Sequence, residues 1–389
     1  MDQSEHSERL KETYRLLALC ARARGDEAFY KELAERLASF RAWEELPVQA
    51  ELHGMAPLLW HHCQQGGLAL PAETERVLKG LYLRQRAFNR AHAQSLVWIN
   101  GLFEEAGIRA LVLKGLALAY RYYPDPALRP VSDLDLLLKS EDMLHARQLL
   151  INAGFESATA WQAGAGKIPK ELNLDAPPLA GIRSHVELHH YDPDGRSSID
   201  HGRDDEFKGF EQTPEAFFIE GQAIYAPAPG DTLRYLSRHL ARHLFSGKDE
   251  RPLQLKWTAD IVSLVEQDAD RLDWEELERQ DPALLKRLEV FYSLTPRPED
   301  TGKLPFRPGA APQGLNQYPN GWPQQVFGEW KTVGAGEFIA RTLRPPSDWW
   351  LRLYYGIDET RTGWYGQVIY RVNIPRLIFW ALVRKLKKA

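Results

Sequence analysis

The chain has little cysteine, no excess of positive charge and no long apolar run. Each shortage excludes something. Only two cysteines occur in 389 residues, Cys20 and Cys63. Two thiols supply neither a disulfide framework nor a four-ligand zinc site, and they fit a reducing cytoplasm. The net charge of −4 gives no overall electrostatic reason to bind nucleic acid, and no basic stripe interleaved with aromatics is present. No uninterrupted apolar stretch is long enough to cross a bilayer. The N-terminal "MDQSEHSERLKE" is polar and acidic, without the apolar centre of a signal peptide. Neither G-x-S-x-G, nor a P-loop, nor G-x-G-x-x-G is found, which counts against hydrolase, P-loop kinase and dehydrogenase chemistry.

What is there is an ordinary globular composition, 44% hydrophobic and 26% charged, long enough for two or three domains. From Glu8 to Leu102, apolar residues recur at helical spacing, and Pro47, Pro57 and Pro71 divide the region into several helices. The last of these runs through "AHAQSLVWINGLFEEAG" to a C-cap near Gly107. The pattern then changes to α/β: "IRALVL" as a strand, "KGLALAYRYY" as a helix, "DPALRP" as a loop and "VSDLDLLL" as a strand. A helix, "SEDMLHARQLLINAGF", follows, opened by Ser140. Residues 156–184 read as a long loop or hairpin, "HVELHHY" as the next strand, and "DTLRYLSRHLARHLF" and "LKWTADIVSLVEQ" as helices. The expected organisation is an α+β core, a small mixed sheet with helices over 107–228, flanked by helical regions over 1–106 and 229–389.

Within "VSDLDLLL", Asp133 and Asp135 are two residues apart and project from one strand face, while Leu134 and Leu136 take the other. Burying two carboxylates side by side costs several kcal/mol unless positive charge compensates them. A hard cation is one such compensation, because Mg²⁺ favours one or two carboxylates plus substrate phosphates. On that account, removing either carboxylate from the metal-free site relieves repulsion and leaves stability equal or higher. Lys114 and Gly115 close the preceding strand, where a glycine permits close backbone approach to a phosphate and a lysine adds charge. An ordinary strand-to-helix turn with Lys114 solvated is the alternative. In "HVELHHY", Glu187 and His189 share one face, and Glu187 is placed as a third metal-binding carboxylate or as an acceptor for a hydroxyl proton. A polar glutamate on an edge strand is the competing account.

Together, Lys114-Gly115, Tyr123-Pro124, Arg129, "SDLDLLL" and "VELHH" resemble the uncharacterised bacterial nucleotidyltransferase family of the DNA polymerase beta-like nucleotidyltransferase superfamily. The likeness covers Ile108 to Tyr191 and extends more loosely into "RYLSRHLARH" and "LKWTADIVSLV". It implies an NTP substrate, Mg²⁺ or Mn²⁺ held by Asp133, Asp135 and Glu187, and transfer of the NMP group to an acceptor the sequence does not identify, with release of pyrophosphate. Lys114, Gly115, Arg129 and Ser132 would face the triphosphate. That superfamily usually has Ser or a second Gly beside the turn glycine, whereas Gly115 here is flanked by Lys114 and Leu116.

Arg129 reaches either a triphosphate or an ion pair that steadies its loop, and Ser132 either helps a phosphate or only begins the strand. His239 and His243, at i and i+4, lack the H-E-x-x-H context of a metal site and read as packing; Asp260 reads as a helix–helix contact. Trp349, Trp350, Tyr354 and Tyr355 read as core. The basic end, Arg384, Lys385, Lys387 and Lys388 after a short apolar stretch, suits a docked helix or weak contact with an anionic membrane.

Overall fold

The computed structural model describes residues 3–158, 171–191, 210, 212–245 and 254–282, with scattered positions up to 306 and residue 340. Trp349, Trp350, Tyr354, Tyr355, the basic C-terminus and the side chain of His243 lie outside the described residues. The described residues form two compact units. One draws on Met1–His53, Ser237–Val262 and Ala269–Ala389, and the other on Gly54–Leu236 and Ser263–Asp268.

The first unit is helical. It includes α1 (Gln3–Leu19), α2 (Glu27–Ser39) and α3 (Leu46–Leu52). Asp26 caps α2 through its carboxylate, which accepts from the Phe29 amide at 2.8 Å. Pro47 sits in the first turn of α3, where its missing N–H costs nothing. Asp260 is fully buried here.

The second unit opens with α4 (Ala56–Gln65), again with proline, Pro57, in its first turn, and α5 (Ala72–Glu105), preceded by Pro71. Gly107 ends α5 with a positive φ of 72°. The Ile108 amide bonds Phe103 O at 2.8 Å and the Gly107 amide bonds Glu104 O at 3.0 Å, the paired closure of a Schellman motif. The chain then gives β1 (Leu111–Val112), α6 (Leu116–Tyr122), a 3₁₀ turn at Pro126–Leu128, β2 (Asp133–Lys139) and α7 (Met143–Asn152). Next come β3 (Glu156–Ser157), β4 (Glu171–Asp175), β5 (His185–Tyr191), β6 (Glu215–Ile219) and β7 (Gln222–Ala226). The remaining described helices are α8 (Pro229–Phe245) and α9 (Leu255–Asp268), each with residues in both units, and α10 (Trp274–Gln280), which belongs to the first. No described helix is long and apolar enough to cross a membrane.

The seven strands form one mixed sheet in the order β3-β4-β5-β2-β1-β7-β6. β2 lies at the centre, parallel to β5 and antiparallel to β1. Leu134, Leu136 and Leu138 of β2 and Val186 and Leu188 of β5 form one apolar face with Leu96, Ile99 and Phe103 of α5. Burying these side chains at about 1.5–3 kcal/mol each fixes which face the alternate residues must take. The fold is α+β, a mixed sheet with helices, as expected.

Three local features stand out. Of the loop and hairpin readings of residues 156–184, the hairpin holds: β3 and β4 pair antiparallel, and β4 joins the sheet beside β5. α7 starts at Met143 with Asp142 before it, because the Ser140 hydroxyl bonds Tyr191 O at 2.9 Å and is spent on the sheet. β6 and β7 form a hairpin through Glu220 and Gly221, both at positive φ, 51° and 85°. That conformation matches the right-handed twist of the strands it joins.

Candidate active site

Parallel pairing sets Asp133 opposite His185, Asp135 opposite Glu187 and Leu137 opposite His189. The face away from the apolar core therefore collects Asp133, Asp135, Glu187 and His189 in two neighbouring strands. β5 is interior, with β4 on its other side, so Glu187 does not belong to an edge strand. Among the described residues, Asp135, Glu187 and His189 each offer a ligand atom, and all three atoms lie within 4.8 Å of one another.

Lys114 is not solvated. Its ammonium lies 3.2 Å from Asp135 Oδ1 and 3.9 Å from Asp133 Oδ2, with its side chain 14% exposed. The Leu113 amide bonds Asp135 O at 3.1 Å, which holds the lysine's backbone against β2. Burial alone would lower the Lys114 pKa, but the Asp135 and Asp133 carboxylates overcome it and raise the value. His189 Nε2 lies 3.3 Å from Asp135 Oδ1 and 3.5 Å from Glu187 Oε2. Burial lowers its pKa too, yet hydrogen bonds to the same acids carry the value up to about 9. Buried Asp135 is thus compensated from within the protein, by the Lys114 ammonium and by His189, whose raised pKa favours its charged form. Tyr235 of α8 is buried near the same charges; burial drives its hydroxyl pKa upward, the Lys114 charge opposes this, and the acids add to it.

Gly115 has φ 57° and ψ −111°, a left-handed conformation suited to glycine. A Cβ there would sit 3.4 Å from Asp133 O, 3.4 Å from Val131 Cγ1 and 3.8 Å from Arg129 Nη1. α6, which begins at the next residue, has only seven residues. Its dipole is correspondingly small, so positive charge at this turn comes mainly from Lys114 and Arg129.

Arg129 is buried, and its Nη1 donates to Pro130 O at 3.0 Å. Its loop is held by α5. Asn89 Nδ2 donates to Pro126 O at 2.6 Å and Arg129 O at 2.9 Å, and Asn89 Oδ1 accepts from the Val131 amide at 3.2 Å. Tyr82 donates to Asp125 at 2.6 Å. Ser132 is exposed and lies 3.3 Å from Asp133 Oδ1. His92 of α5 makes a 2.8 Å bond to the Ser184 hydroxyl, which donates on to Ser95 at 2.9 Å. Burial lowers the His92 pKa and the Asp133 charge partly restores it. His239, by contrast, packs edge-on to Trp257.

The structure thus brings Asp133, Asp135, Glu187 and Lys114 together, with Gly115, Arg129 and Ser132 beside them. His189, Asn89 and Tyr235 join the site without having been singled out for it. The E-x-H spacing in "VELHH" was a usable signal for His189; nothing local marks Asn89 or Tyr235.

No curated protein matches the sequence. Among solved structures the chain is similar to an antigenic nucleotidyltransferase-like protein from Paracoccidioides brasiliensis. Identity is 19%, the match covers 54% of this chain and 91% of that one, and the TM-score is 0.32, too low to bear on any residue. The sequence profile described as "Uncharacterised nucleotidyltransferase" matches residues 40–295, well over half of the chain and inclusive of every site residue named above. The chain belongs to that family of nucleotidyltransferases.

Proposed function

We propose that the protein is a Mg²⁺-dependent nucleotidyltransferase of the DNA polymerase beta-like superfamily. It would move an NMP group from an NTP to a hydroxyl or phosphate acceptor on a small molecule, modified peptide or natural product. The observation that carries this reading is the pairing of Asp135 with Glu187 on adjacent parallel strands, with Asp133 and His189 on the same face. Two or three hard carboxylate oxygens and one imidazole form a donor set that suits Mg²⁺ or Mn²⁺.

Asp133, Asp135 and Glu187 would hold the metal, with His189 a nitrogen donor once it has given up its proton. When bound, the metal supplies charge neutralisation of the attacking and leaving oxygens. Lys114, Arg129, Ser132 and the Gly115 backbone would orient the triphosphate. The acceptor oxygen forms a bond to the α-phosphorus while the bond from that phosphorus to the bridging oxygen of the β-phosphate breaks. Glu187 takes the acceptor proton where the acceptor is a hydroxyl, and pyrophosphate leaves with the bonding pair. The low cysteine content supports a cytoplasmic location, and the family resemblance supports a bacterial one.

The reading is tested by incubating the protein with each NTP and a panel of hydroxyl and phosphate acceptors. Pyrophosphate and the acceptor's mass shift would be followed with Mg²⁺ and with EDTA. Mg²⁺-dependent pyrophosphate release matched by an NMP mass increment is expected. Nucleotide binding that is equally tight in EDTA, with no product for any acceptor, would remove it.

A further inference from the structure

Lys114 already occupies the electrostatic position that a metal ion would need. Its ammonium is 3.2 Å from Asp135 Oδ1 and 3.9 Å from Asp133 Oδ2. An ion bound to that Asp135 oxygen at about 2.1 Å would lie only a few ångströms from the ammonium. Two cations that close, beside a carboxylate side chain only 1% exposed, repel each other strongly. Among the described residues, the acids within ion-pair distance of Lys114 are those same two aspartates. Its stem is anchored by the Leu113–Asp135 backbone bond on one side and the left-handed turn at Gly115 on the other. An incoming anion is therefore the natural agent to draw the ammonium off the aspartates, and a triphosphate beside Gly115 and Arg129 would provide one.

We propose that Lys114 is a resident counter-ion that keeps divalent metal out of the Asp133–Asp135 site until a nucleotide arrives to take its charge. Metal and nucleotide then enter as a coupled pair, and each raises the protein's affinity for the other by the same factor. The inference rests on the site assignment made under Proposed function.

Mn²⁺ binding to the full chain, read by EPR without nucleotide, tests it independently of turnover. Lys114→Met and Lys114→Gln should bind Mn²⁺ at least ~10-fold more tightly than wild type, within the usual range of coupling between sites. Lys114→Gln keeps a polar group and serves if Lys114→Met does not fold, with circular dichroism checking both. Adding Asp135→Asn to either variant should abolish the gain. A mixture of the four α,β-methylene nucleoside triphosphates should tighten Mn²⁺ binding in wild type more than in the variants. Lysine variants that bind Mn²⁺ no more tightly than wild type overturn the inference. If Asp135→Asn nonetheless weakens binding of Mn²⁺ with the nucleotide mixture, the assignment of the metal site survives that failure. If Asp135→Asn leaves that binding unchanged, both fall.

Discussion

Asp135→Asn in the metal-free protein sets two opposing effects against each other. Removing a carboxylate relieves repulsion from Asp133 and Glu187, but it also strips Lys114 and His189 of their nearest anion. Contacts decide the sign. Asp135 Oδ1 lies 3.2 Å from Lys114 and 3.3 Å from His189, and the same two groups also pair with the neighbouring acids, Lys114 with Asp133 at 3.9 Å and His189 with Glu187 at 3.5 Å. Two cations in contact with one carboxylate oxygen, each also offsetting one of its acidic neighbours, outweigh the repulsion. The side chains are sheltered, 1% exposed for Asp135, 14% for Lys114 and 13% for His189, so water screens little of this. Breaking a buried ion pair by removing one partner costs about 3–5 kcal/mol. Asparagine keeps an amide oxygen as acceptor, which places the expected loss at the low end, about 3 kcal/mol.

The sign is the reverse of what two adjacent aspartates imply when nothing is known of Lys114. Asp133→Asn should behave differently, because Asp133 is 25% exposed and its lysine contact is 3.9 Å. Its loss should change stability by less than about 1 kcal/mol. Urea unfolding followed by circular dichroism, with EDTA at neutral pH, measures both. An Asp135→Asn midpoint at or above that of wild type would refute the argument and return the site to net repulsion.

The remaining predictions use the same residues. His189 carries a folded-state pKa raised from 6.5 to about 9, so its stabilisation is present in full below pH 6.5 and is lost as pH rises to 9. The loss should be on the order of 2–3 kcal/mol in EDTA and absent from His189→Gln, and identical pH profiles for the two proteins would sink it. Asn89→Ala removes three hydrogen bonds to the Pro126–Val131 loop and should cost about 1–3 kcal/mol in urea. It should also raise the KM for NTP through Arg129, and unchanged KM together with unchanged stability would show that the loop holds itself. Glu187→Gln should lower kcat by at least ~10²-fold while nucleotide affinity falls much less. Activity within a few-fold of wild type would exclude Glu187 from proton transfer.

The strands that carry the acids were legible because their alternation is enforced by burial. Leu134, Leu136 and Leu138 on one strand, and Val186 and Leu188 on another, pack into one core, so the residues between them face away from it. Helix limits marked by Pro47, Pro57, Pro71 and Gly107 were equally readable, since proline and glycine act locally. What periodicity could not supply was pairing. That β5 lies beside β2 with Glu187 level with Asp135 is a contact across some fifty residues of chain. Asn89 is invisible for the same reason, its partners lying 37 to 42 positions away. The hairpin turn at Glu220-Gly221 does carry a local signal, a glycine between two β-rich runs.

The burial of Lys114 was the consequential gap, because it changes what the aspartates do when no metal is bound. Clustered acids in a site are usually a cost to the fold, tolerated for function. Here Lys114 and His189 convert that cost into a stabilising network, and the same two groups must yield if a metal is to bind. If the proposed metal site is right, stability of the metal-free protein and readiness for metal are opposed through the same two contacts, at 3.2 Å and 3.3 Å. A change that strengthens the Lys114–Asp135 pair should stabilise the protein and weaken metal entry together, whereas one that shifts both in the same direction must act elsewhere. Measuring urea midpoint and Mn²⁺ affinity on each variant of Lys114, Asp133, Asp135 and His189 places every residue on one side of that opposition.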